Sequence, residues 1–132
     1  MRYLFDANAV IALLNDPAGG LAQRVRRNAP ADFGLPAIVA HELYFGACKS
    51  HRRARNLALV DNLRFEIVAF DQDDARHAGE IRAMLGERGT PIGPYDVLIA
   101  GQARSRALVL ITGNQREFQR VGGLRVENWE SG

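Results

Sequence analysis

The chain has almost no cysteine and no long apolar run, and each shortage excludes a class of protein. Cys48 is the only cysteine among 132 residues, so no disulfide forms within the chain, and no Cys/His cluster has the spacing of a zinc site. We interpret Cys48 as a small buried apolar residue. The longest apolar stretches, residues 97–100 and 107–112, are far shorter than the roughly 20 residues of a membrane-spanning helix. We therefore expect no membrane association.

The N-terminal residues also lack the pattern of a secretion signal. Asp6 interrupts the apolar residues 3–5, whereas a signal peptide continues an apolar run up to a small-residue cleavage site. We therefore expect a cytoplasmic protein. No low-complexity tract is present, and 47% of the residues are hydrophobic, which is enough to build one core. We expect a single ordered domain over residues 1–132.

Lysine is nearly absent as well, because Lys49 is the only lysine beside sixteen arginines. The planar guanidinium group binds phosphate with two parallel hydrogen bonds, which a lysine cannot make. A solvated helix face explains any single arginine, but several of these arginines are grouped along the chain. The grouping favours a polyanionic partner such as RNA. The candidate RNA-binding residues are Arg52, Arg53, Arg104 and Arg116.

Apolar runs alternate with helical patterns along the chain. Strands are predicted at residues 3–5, 32–35, 66–70, 108–111 and 124–126, with helices between them, and a short helix at 116–120 precedes the last strand. The uninterrupted apolar run at 108–111 is typical of a strand buried on both faces of a parallel sheet. The pattern predicts an α/β sandwich, with helices on both sides of a mainly parallel sheet. Ligand sites in such folds lie beyond the carboxyl ends of the strands, where Asp6 and Asn114 are placed.

Three acids are candidates for a shared site. Asp6 follows the first strand, and Asp96 lies in the first turn of a helix, where the helix dipole favours the ionised carboxylate. We expect both to be charged at neutral pH. Glu42 lies within an apolar helix, where a lone buried carboxylate would be costly unless a cation neutralised it. Oxygen ligands of this kind suit Mg²⁺ or Mn²⁺, so we expect the three acids to converge within a few ångströms of a divalent ion.

Such a site suits phosphodiester hydrolysis, which needs positive charge on the phosphate and an activated water. Whether one or two ions bind stays open. Each acid also has an ordinary explanation: Asp6 as a helix cap, Asp96 as a partner of the helix dipole, and Glu42 as a side chain that reaches solvent. Their joint placement favours the site. The three histidines share no ligand spacing and are interpreted as surface or packing residues.

Four segments, in order, resemble the motifs of the PIN-domain family, and in particular those of the VapC toxins of bacterial toxin–antitoxin pairs. They read FDANAVI at residues 5–11, ELYFGA at 42–47, IGPYDVLIA at 92–100 and TGNQREF at 112–118. The closing residues 121–129 fit as well, so the resemblance extends over essentially the whole chain. It implies a PIN-like α/β/α fold.

The resemblance also implies a function. Members of the family are Mg²⁺-dependent endoribonucleases that cut structured RNA, often tRNA, and halt translation until a VapB-type antitoxin occupies the active site; they form homodimers. Carried over by motif, Asp6 and Asp96 are the principal ligands of Mg²⁺, with Mn²⁺ as a substitute, and Glu42 completes the acidic site. Asn114 stands where many relatives have a fourth acid. Asn8 and Thr112 would support the pocket.

Two positions depart from the family pattern. Ala7 replaces the usual threonine, so a hydroxyl that could orient a neighbouring carboxylate is missing there. Asn114 carries no charge, which leaves three core acids. Glu117, one helical turn further on, is the candidate to reach the metal directly or through water.

The sequence leaves two other functions to consider. A phosphatase of the haloacid dehalogenase type also has an aspartate after its first strand, but it needs a second aspartate where this chain has Asn8. It also needs a lysine near the later acidic motif, and Lys49 is far from it. The neutral Asn114 suggests the other alternative, an RNA-binding or protein-binding module that keeps the fold but has little or no catalytic activity.

Overall fold

Five strands form one sheet in the computed structural model, which describes residues 1–130. The strands are β1 Tyr3–Phe5, β2 Phe33–Pro36, β3 Glu66–Val68, β4 Val109–Ile111 and β5 Val126–Glu127. Their order is β3-β2-β1-β4-β5, and every neighbouring pair is parallel. The predicted α/β architecture is confirmed, with a sheet that is entirely parallel. The predicted single domain also includes Ser131 and Gly132, which lie outside the described residues.

Within residues 1–130, seven α-helices connect and cover the strands. They are α1 Ala7–Asn15, α2 Gly20–Arg26, α3 Ala37–Lys49, α4 Arg53–Asp61, α5 Gln72–Glu87, α6 Pro94–Ser105 and α7 Gln115–Phe118. Local sequence explains two of the starts: Asp71 and Asp74 form a reciprocal capping box at α5, and Pro94 occupies the first turn of α6. α3 packs on α4, and α5 packs on α6. No helix within residues 1–130 is both long and apolar enough to cross a membrane.

The core lies around the central strands. Leu4 and Phe5 of β1 are fully buried, as an apolar strand in the middle of a parallel sheet should be. Phe5 stacks on Phe33 with ring centroids 5.1 Å apart, and Trp129 meets the edge of Tyr3 at 4.8 Å. Such aromatic pairs each add about 1 kcal/mol beyond the area they bury. Trp129 therefore anchors the C-terminal segment to β1.

Several predicted boundaries differ from the structure. β3 ends at Val68, the helix predicted at 116–120 occupies Gln115–Phe118, and the last strand lies at Val126–Glu127. β5 is set by its pairing with β4, in which Leu110 faces Val126 and Ile111 faces Glu127. That register depends on a strand that is distant in sequence. The observed strand therefore begins only at the last residue of the range 124–126 that the local apolar pattern predicted.

The prediction that Cys48 is buried was wrong, since its side chain is exposed. Leu43 and Ala47, four residues apart, define the buried face of α3. Cys48 follows Ala47 by one position, a turn of about 100° around the helix axis that directs it away from that face. Phe45, on another side of α3, is 60% exposed for the same reason.

Candidate active site

Two adjacent strands bring the first and the last predicted motif together. β1 pairs with β4, and the backbone N–H of Asp6 donates to the carbonyl of Ile111 at 3.2 Å. Asp6 therefore lies beside Thr112 and Asn114, which follow β4 directly. The prediction that Asp6 and Asn114 lie at the carboxyl ends of the strands is confirmed.

Asp6 is held by hydrogen bonds to both carboxylate oxygens. Oδ1 accepts the backbone N–H of Ala9 at 2.8 Å, which caps α1, and Oδ2 accepts the hydroxyl of Thr112. The backbone N–H of Asn114 donates in turn to Thr112 Oγ1 at 2.9 Å. Asp6 thus combines the role of a helix cap with a place in the site. Thr112 supplies the orienting hydroxyl that Ala7 lacks.

The surroundings of Asp6 disfavour its ionised form. Asp6 is only 4% exposed, and this burial raises the pKa of its carboxyl above the ordinary value. The hydrogen bonds from Thr112 and Ala9 oppose that rise, while the negative charge of Glu130 adds to it. Nothing positive within the described chain balances this carboxylate.

Asp96 lies in the first turn of α6, two residues after Pro94. Burial, followed by the negative charges of Glu117 and Asp6, raises the pKa of Asp96 to about 6. The helix dipole was expected to favour ionisation, but its effect is screened and weak at a partly exposed end. Desolvation and neighbouring carboxylates outweigh it.

Glu42 faces the same acids from α3. Its Oε1 atom is buried and has no hydrogen-bond partner among the described residues. Burial raises the pKa of Glu42, and the charges of Asp96 and Asp6 raise it further. Three acids from different parts of the chain therefore lie within electrostatic reach of one another. Glu42 as a whole is half-buried, so the alternative in which it reaches solvent applies to part of the side chain but not to the Oε1 atom.

Asn114 and Glu117 act as a unit. Nδ2 of Asn114 donates to Glu117 Oε2 at 2.6 Å, and the backbone N–H of Gly93 donates to Glu117 Oε1 at 3.2 Å. Glu117 is therefore held between α7 and the start of α6, next to Asp96. Asn114 therefore positions Glu117. The resemblance to relatives with a fourth acid at the position of Asn114 did not suggest this role.

The acids do not form a closed ligand shell. Within residues 1–130, no three His, Cys, Asp or Glu side chains stand close enough together to hold a metal ion as they are. The expected convergence on a shared ion within a few ångströms is therefore not seen in the geometry. The donor set still fits a divalent cation, because an orphaned Glu42 oxygen and two further desolvated carboxylates would all gain from one. Asp6, Glu42 and Asp96 are the residues that could hold it.

Glu130 is a neighbour of the site that sequence reasoning missed. Its carboxylate occupies the space that a side chain on Gly113 would need. No local pattern marks Glu130, since it is a single acid near the end of the chain. Only the burial of Trp129 before it brings it here. Asn8, in contrast, is exposed in the first turn of α1, and its supporting role stays a prediction.

The four candidate RNA-binding arginines fall into two groups. Arg52 and Arg53 at the start of α4 and Arg116 on α7 are exposed. Arg104 is only 15% exposed, and its guanidinium donates to His77 Nδ1 at 2.9 Å and to Glu80 Oε2 at 3.0 Å. RNA binding by these residues stays a prediction, and Arg104 is already engaged within the protein.

Comparisons with known proteins agree with this geometry. The PIN domain model matches residues 3–124. The chain is 38% identical to the tRNA(fMet)-specific endonuclease VapC of Shigella flexneri and 40% identical to that of Salmonella typhimurium, with 98% of each chain covered. The crystal structure of DNA-bound VapBC from Salmonella typhimurium superposes with a TM-score of 0.93 at 40% identity over 98% of both chains. VapBC2 from Rickettsia felis, bound to a promoter fragment, gives a TM-score of 0.90 at 30% identity over 98% and 99% of the two chains. The chain therefore belongs to the VapC ribonucleases of the PIN-domain family, the toxins of VapBC toxin–antitoxin pairs.

Proposed function

We propose that this chain is a Mg²⁺-dependent endoribonuclease that cleaves tRNA in the cytoplasm and thereby inhibits translation. One observation carries the metal dependence: Asp6, Glu42 and Asp96 are desolvated and mutually repelling, and within residues 1–130 none of them forms an ion pair, since His41 only weakly opposes the rise in the pKa of Glu42. Mn²⁺ would replace Mg²⁺, because both prefer oxygen ligands in similar geometry. The relatives named for tRNA(fMet) support initiator tRNA as the substrate.

In this proposal the three acids bind the ion, and the rest of the site holds them in place. A divalent ion held by these acids would supply positive charge to the scissile phosphate and would lower the pKa of an attacking water. Thr112 and the N–H of Ala9 restrict Asp6 to one orientation, so that little freedom is lost on binding. Asn114 restricts Glu117 in the same way beside Asp96. Glu117 therefore adds negative charge at the Asp96 end.

Exposed arginines would hold the RNA. Arg52, Arg53 and Arg116 present their guanidinium groups to solvent, where they can bind phosphates of a folded RNA. Phosphate contacts position the substrate and make its binding sensitive to salt. We assign Arg104 a smaller part, since Glu80 and His77 already take up its donors.

The antitoxin partner would bind in an apolar groove between α1, α3 and α4. The groove is lined by Ile11, Leu14, Leu43, Leu59 and Val60. Glu42 lies in its wall as well, so a segment that fills the groove would extend over the acidic site. An amphipathic VapB segment suits such a surface, and the VapBC complexes among the structural neighbours support this partner. Binding there would block access to the acids.

We also propose a homodimer. Met84 on α5 and Tyr95 on α6 are exposed at 38% and 47%, and shallow apolar depressions beside them are lined by Phe70 and Leu98. Large exposed apolar residues on two packed helices mark a surface suited to self-association. Sedimentation of the toxin with Tyr95→Glu should show monomers where the wild-type protein shows dimers.

The catalytic proposal is tested by cleavage of purified tRNA. Cleavage should require Mg²⁺, stop with EDTA, and be abolished together with growth arrest in Asp6→Asn and Asp96→Asn, because each loses a metal-binding carboxylate. Asp73→Asn, an exposed aspartate of α5, is the matched control and should cleave like the wild type. Unchanged toxicity in Asp96→Asn would contradict the proposal. Tight tRNA binding without cleavage by the wild type would favour the binding module instead.

A further inference from the structure

The arginines at positions 24, 26 and 27 form a group in the sequence to which the proposed function gives no role. All three are exposed on α2 or at its C-terminal end, but their side chains have different neighbours. Arg26 donates to the carbonyl of Pro17 at 2.8 Å. Arg24 and Arg27 are three positions apart, which places them on one side of the helix, and both line the same pocket.

This pocket has a volume of about 330 Å³ and a mainly polar lining. It is lined by Gly20, Gln23, Arg24, Arg27 and Trp129. Its volume is within the range of roughly 300 to 1,000 Å³ that ligand pockets occupy. Two guanidinium groups in one pocket suit an anion, and their planar forks of N–H donors match the oxygens of a phosphate.

Arg24 is held in position within the protein. Its guanidinium lies over the indole ring of Trp129 at 4.2 Å, and its Nη2 pairs with Glu127 Oε1 at 3.2 Å. Trp129 is itself buried, and its Nε1–H donates to the same Glu127 oxygen at 2.9 Å. The side chain of Arg24 is still 48% exposed, against 15% for Arg104, so it can reach a ligand. A side chain fixed in this way loses little freedom on binding.

The charges at the pocket favour an anionic ligand. Within residues 1–130, Arg27 forms no ion pair, and the only ion pair of Arg24 is the one with Glu127. Two arginines beside one glutamate leave an excess of positive charge. An exposed ion pair is also weak, so Glu127 orients Arg24 without preventing it from binding a second anion.

The pocket lies at the same edge of the sheet as the acidic site. β5 ends at Glu127, whose carbonyl accepts the backbone N–H of Thr112 at 3.0 Å, and the hydroxyl of Thr112 binds Asp6. Neighbouring strands lie about 4.8 Å apart, and β5 is two strands from β1, so the carboxyl ends of these strands are about 10 Å apart. An RNA strand whose scissile phosphate lies at the acids can therefore place a nearby phosphate in the pocket.

We infer that Arg24 and Arg27 form a second phosphate-binding site, which holds a backbone phosphate of the RNA close to the phosphate that is cleaved. The inference rests on the proposed function and adds a binding site to it. An RNA strand carries phosphates at regular intervals along this edge of the sheet, whereas the groove proposed for the antitoxin lies between α1, α3 and α4. The location therefore favours RNA over an acidic protein segment.

Binding of purified tRNA in EDTA tests this site without cleavage. Arg27→Gln should weaken tRNA binding several-fold and reduce its salt dependence by about one phosphate contact. Arg24→Gln should have the same effect on binding. Because Arg24→Gln also loses the contacts with Trp129 and Glu127, Arg27→Gln is the variant expected to keep wild-type stability in urea. With Mg²⁺ present, Arg27→Gln should raise KM and largely retain kcat, because a contact away from the scissile bond is equal in the ground state and the transition state.

Arg2→Gln is the matched control for Arg24→Gln. Arg2 is an exposed arginine whose guanidinium lies over the ring of Tyr3 at 5.0 Å, so the variant loses the same charge and a similar aromatic contact. Arg2 precedes β1 and therefore lies at the amino ends of the strands, at the edge opposite the acidic site. Arg2→Gln should bind tRNA like the wild type.

The outcomes that contradict the inference differ from those that contradict the proposed function. Equal weakening of tRNA binding in Arg2→Gln and Arg27→Gln would show that net charge alone matters and would overturn the site. Wild-type tRNA affinity in Arg27→Gln, with weaker binding in Arg116→Gln, would also overturn this site alone. Weaker binding of the antitoxin by that Arg27 variant would then assign the pocket to an acidic protein segment. Failure of the wild-type protein to bind or cleave tRNA would overturn the proposed function as well.

Discussion

Two aspartates of this protein, Asp74 and the half-buried Asp96, have opposite electrostatic environments. Asp74 in α5 is fully buried, and burial alone would raise its pKa. Arg106 Nη2 donates to it at 3.0 Å, the backbone N–H of Asp71 donates at 2.9 Å, and the hydroxyl of Ser105 donates as well. These donors and the charge of Arg106 lower the pKa of Asp74 to about 2.

Asp96 has no comparable partner. It is surrounded by the carboxylates of Glu117 and Asp6, and burial and these charges raise its pKa to about 6. The chain thus supplies a counter-charge to Asp74, where the acid joins α5 to the end of α6. Within residues 1–130 it supplies no ion-pair partner at the acidic site, where a cation would come from outside. The difference distinguishes Asp74, which stabilises the fold, from Asp96, which is proposed to bind a metal ion.

The largest expected effect concerns the paired aspartate. Asp74→Ala removes the partner of Arg106 and three further hydrogen bonds, so it should lower the free energy of unfolding by about 3 kcal/mol. Urea denaturation measures this change. Asp73→Ala, one residue earlier and exposed, should stay within about 0.5 kcal/mol of the wild type. A similar stability for both variants would remove the contrast on which the comparison depends.

The unpaired aspartate should respond with the opposite sign. Above pH 6 the folded, metal-free protein holds Asp96 ionised among other carboxylates, which destabilises it relative to the unfolded chain. Asp96→Asn should therefore stabilise the metal-free protein at pH 7 by on the order of 1 to 2 kcal/mol, a range already reduced for partial solvent exposure. Urea denaturation in EDTA measures the gain. A loss of stability would show that Asp96 is compensated within the chain.

The pH dependence should separate the two acids further. Metal binding needs the ionised form of Asp96, so Mn²⁺ affinity should fall as the pH is lowered through about 6. The pKa of Asp74 is depressed, so its contribution to stability is complete above pH 3.8 and is lost as the pH falls towards about 2. Mn²⁺ titrations over pH 4 to 8 measure the first change, and circular dichroism from pH 8 down to about pH 1 measures the second. Simultaneous loss of binding and folding would contradict the assignment.

The smallest expected effects concern two arginines, of which Arg104 is paired within the protein and Arg116 is exposed. Arg116→Gln should weaken tRNA binding several-fold, lower its salt dependence, and change stability by less than about 0.5 kcal/mol, since this side chain is exposed. Arg104→Gln should act mainly on stability, by about 1 kcal/mol, because it loses its contacts with Glu80 and His77. Filter binding at two salt concentrations and urea denaturation distinguish the two. Equal losses of RNA binding would place both at the substrate.

Local sequence was sufficient for the features that depend on near neighbours. The apolar run at 108–111 predicted a buried parallel strand, and the placement of Asp96 in the first turn of a helix predicted the start of α6. Because parallel strands end at a common edge, the strands predicted at 3–5 and 108–111 also placed Asp6 and Asn114 at the same edge of the sheet. The order of the motifs was sufficient to indicate the family.

Tertiary structure alone decided the features that depend on distant neighbours. The exposure of Cys48 follows from the way α3 is turned on the core, and the place of β5 follows from its register with β4. The charge state of Asp96, the tether between Asn114 and Glu117, and the arrival of Glu130 at Gly113 all depend on groups far apart along the chain or packed from another element. Desolvation and Coulomb interaction act through space, so residue identity determined which acids exist, and only packing determined which of them remain without a cation.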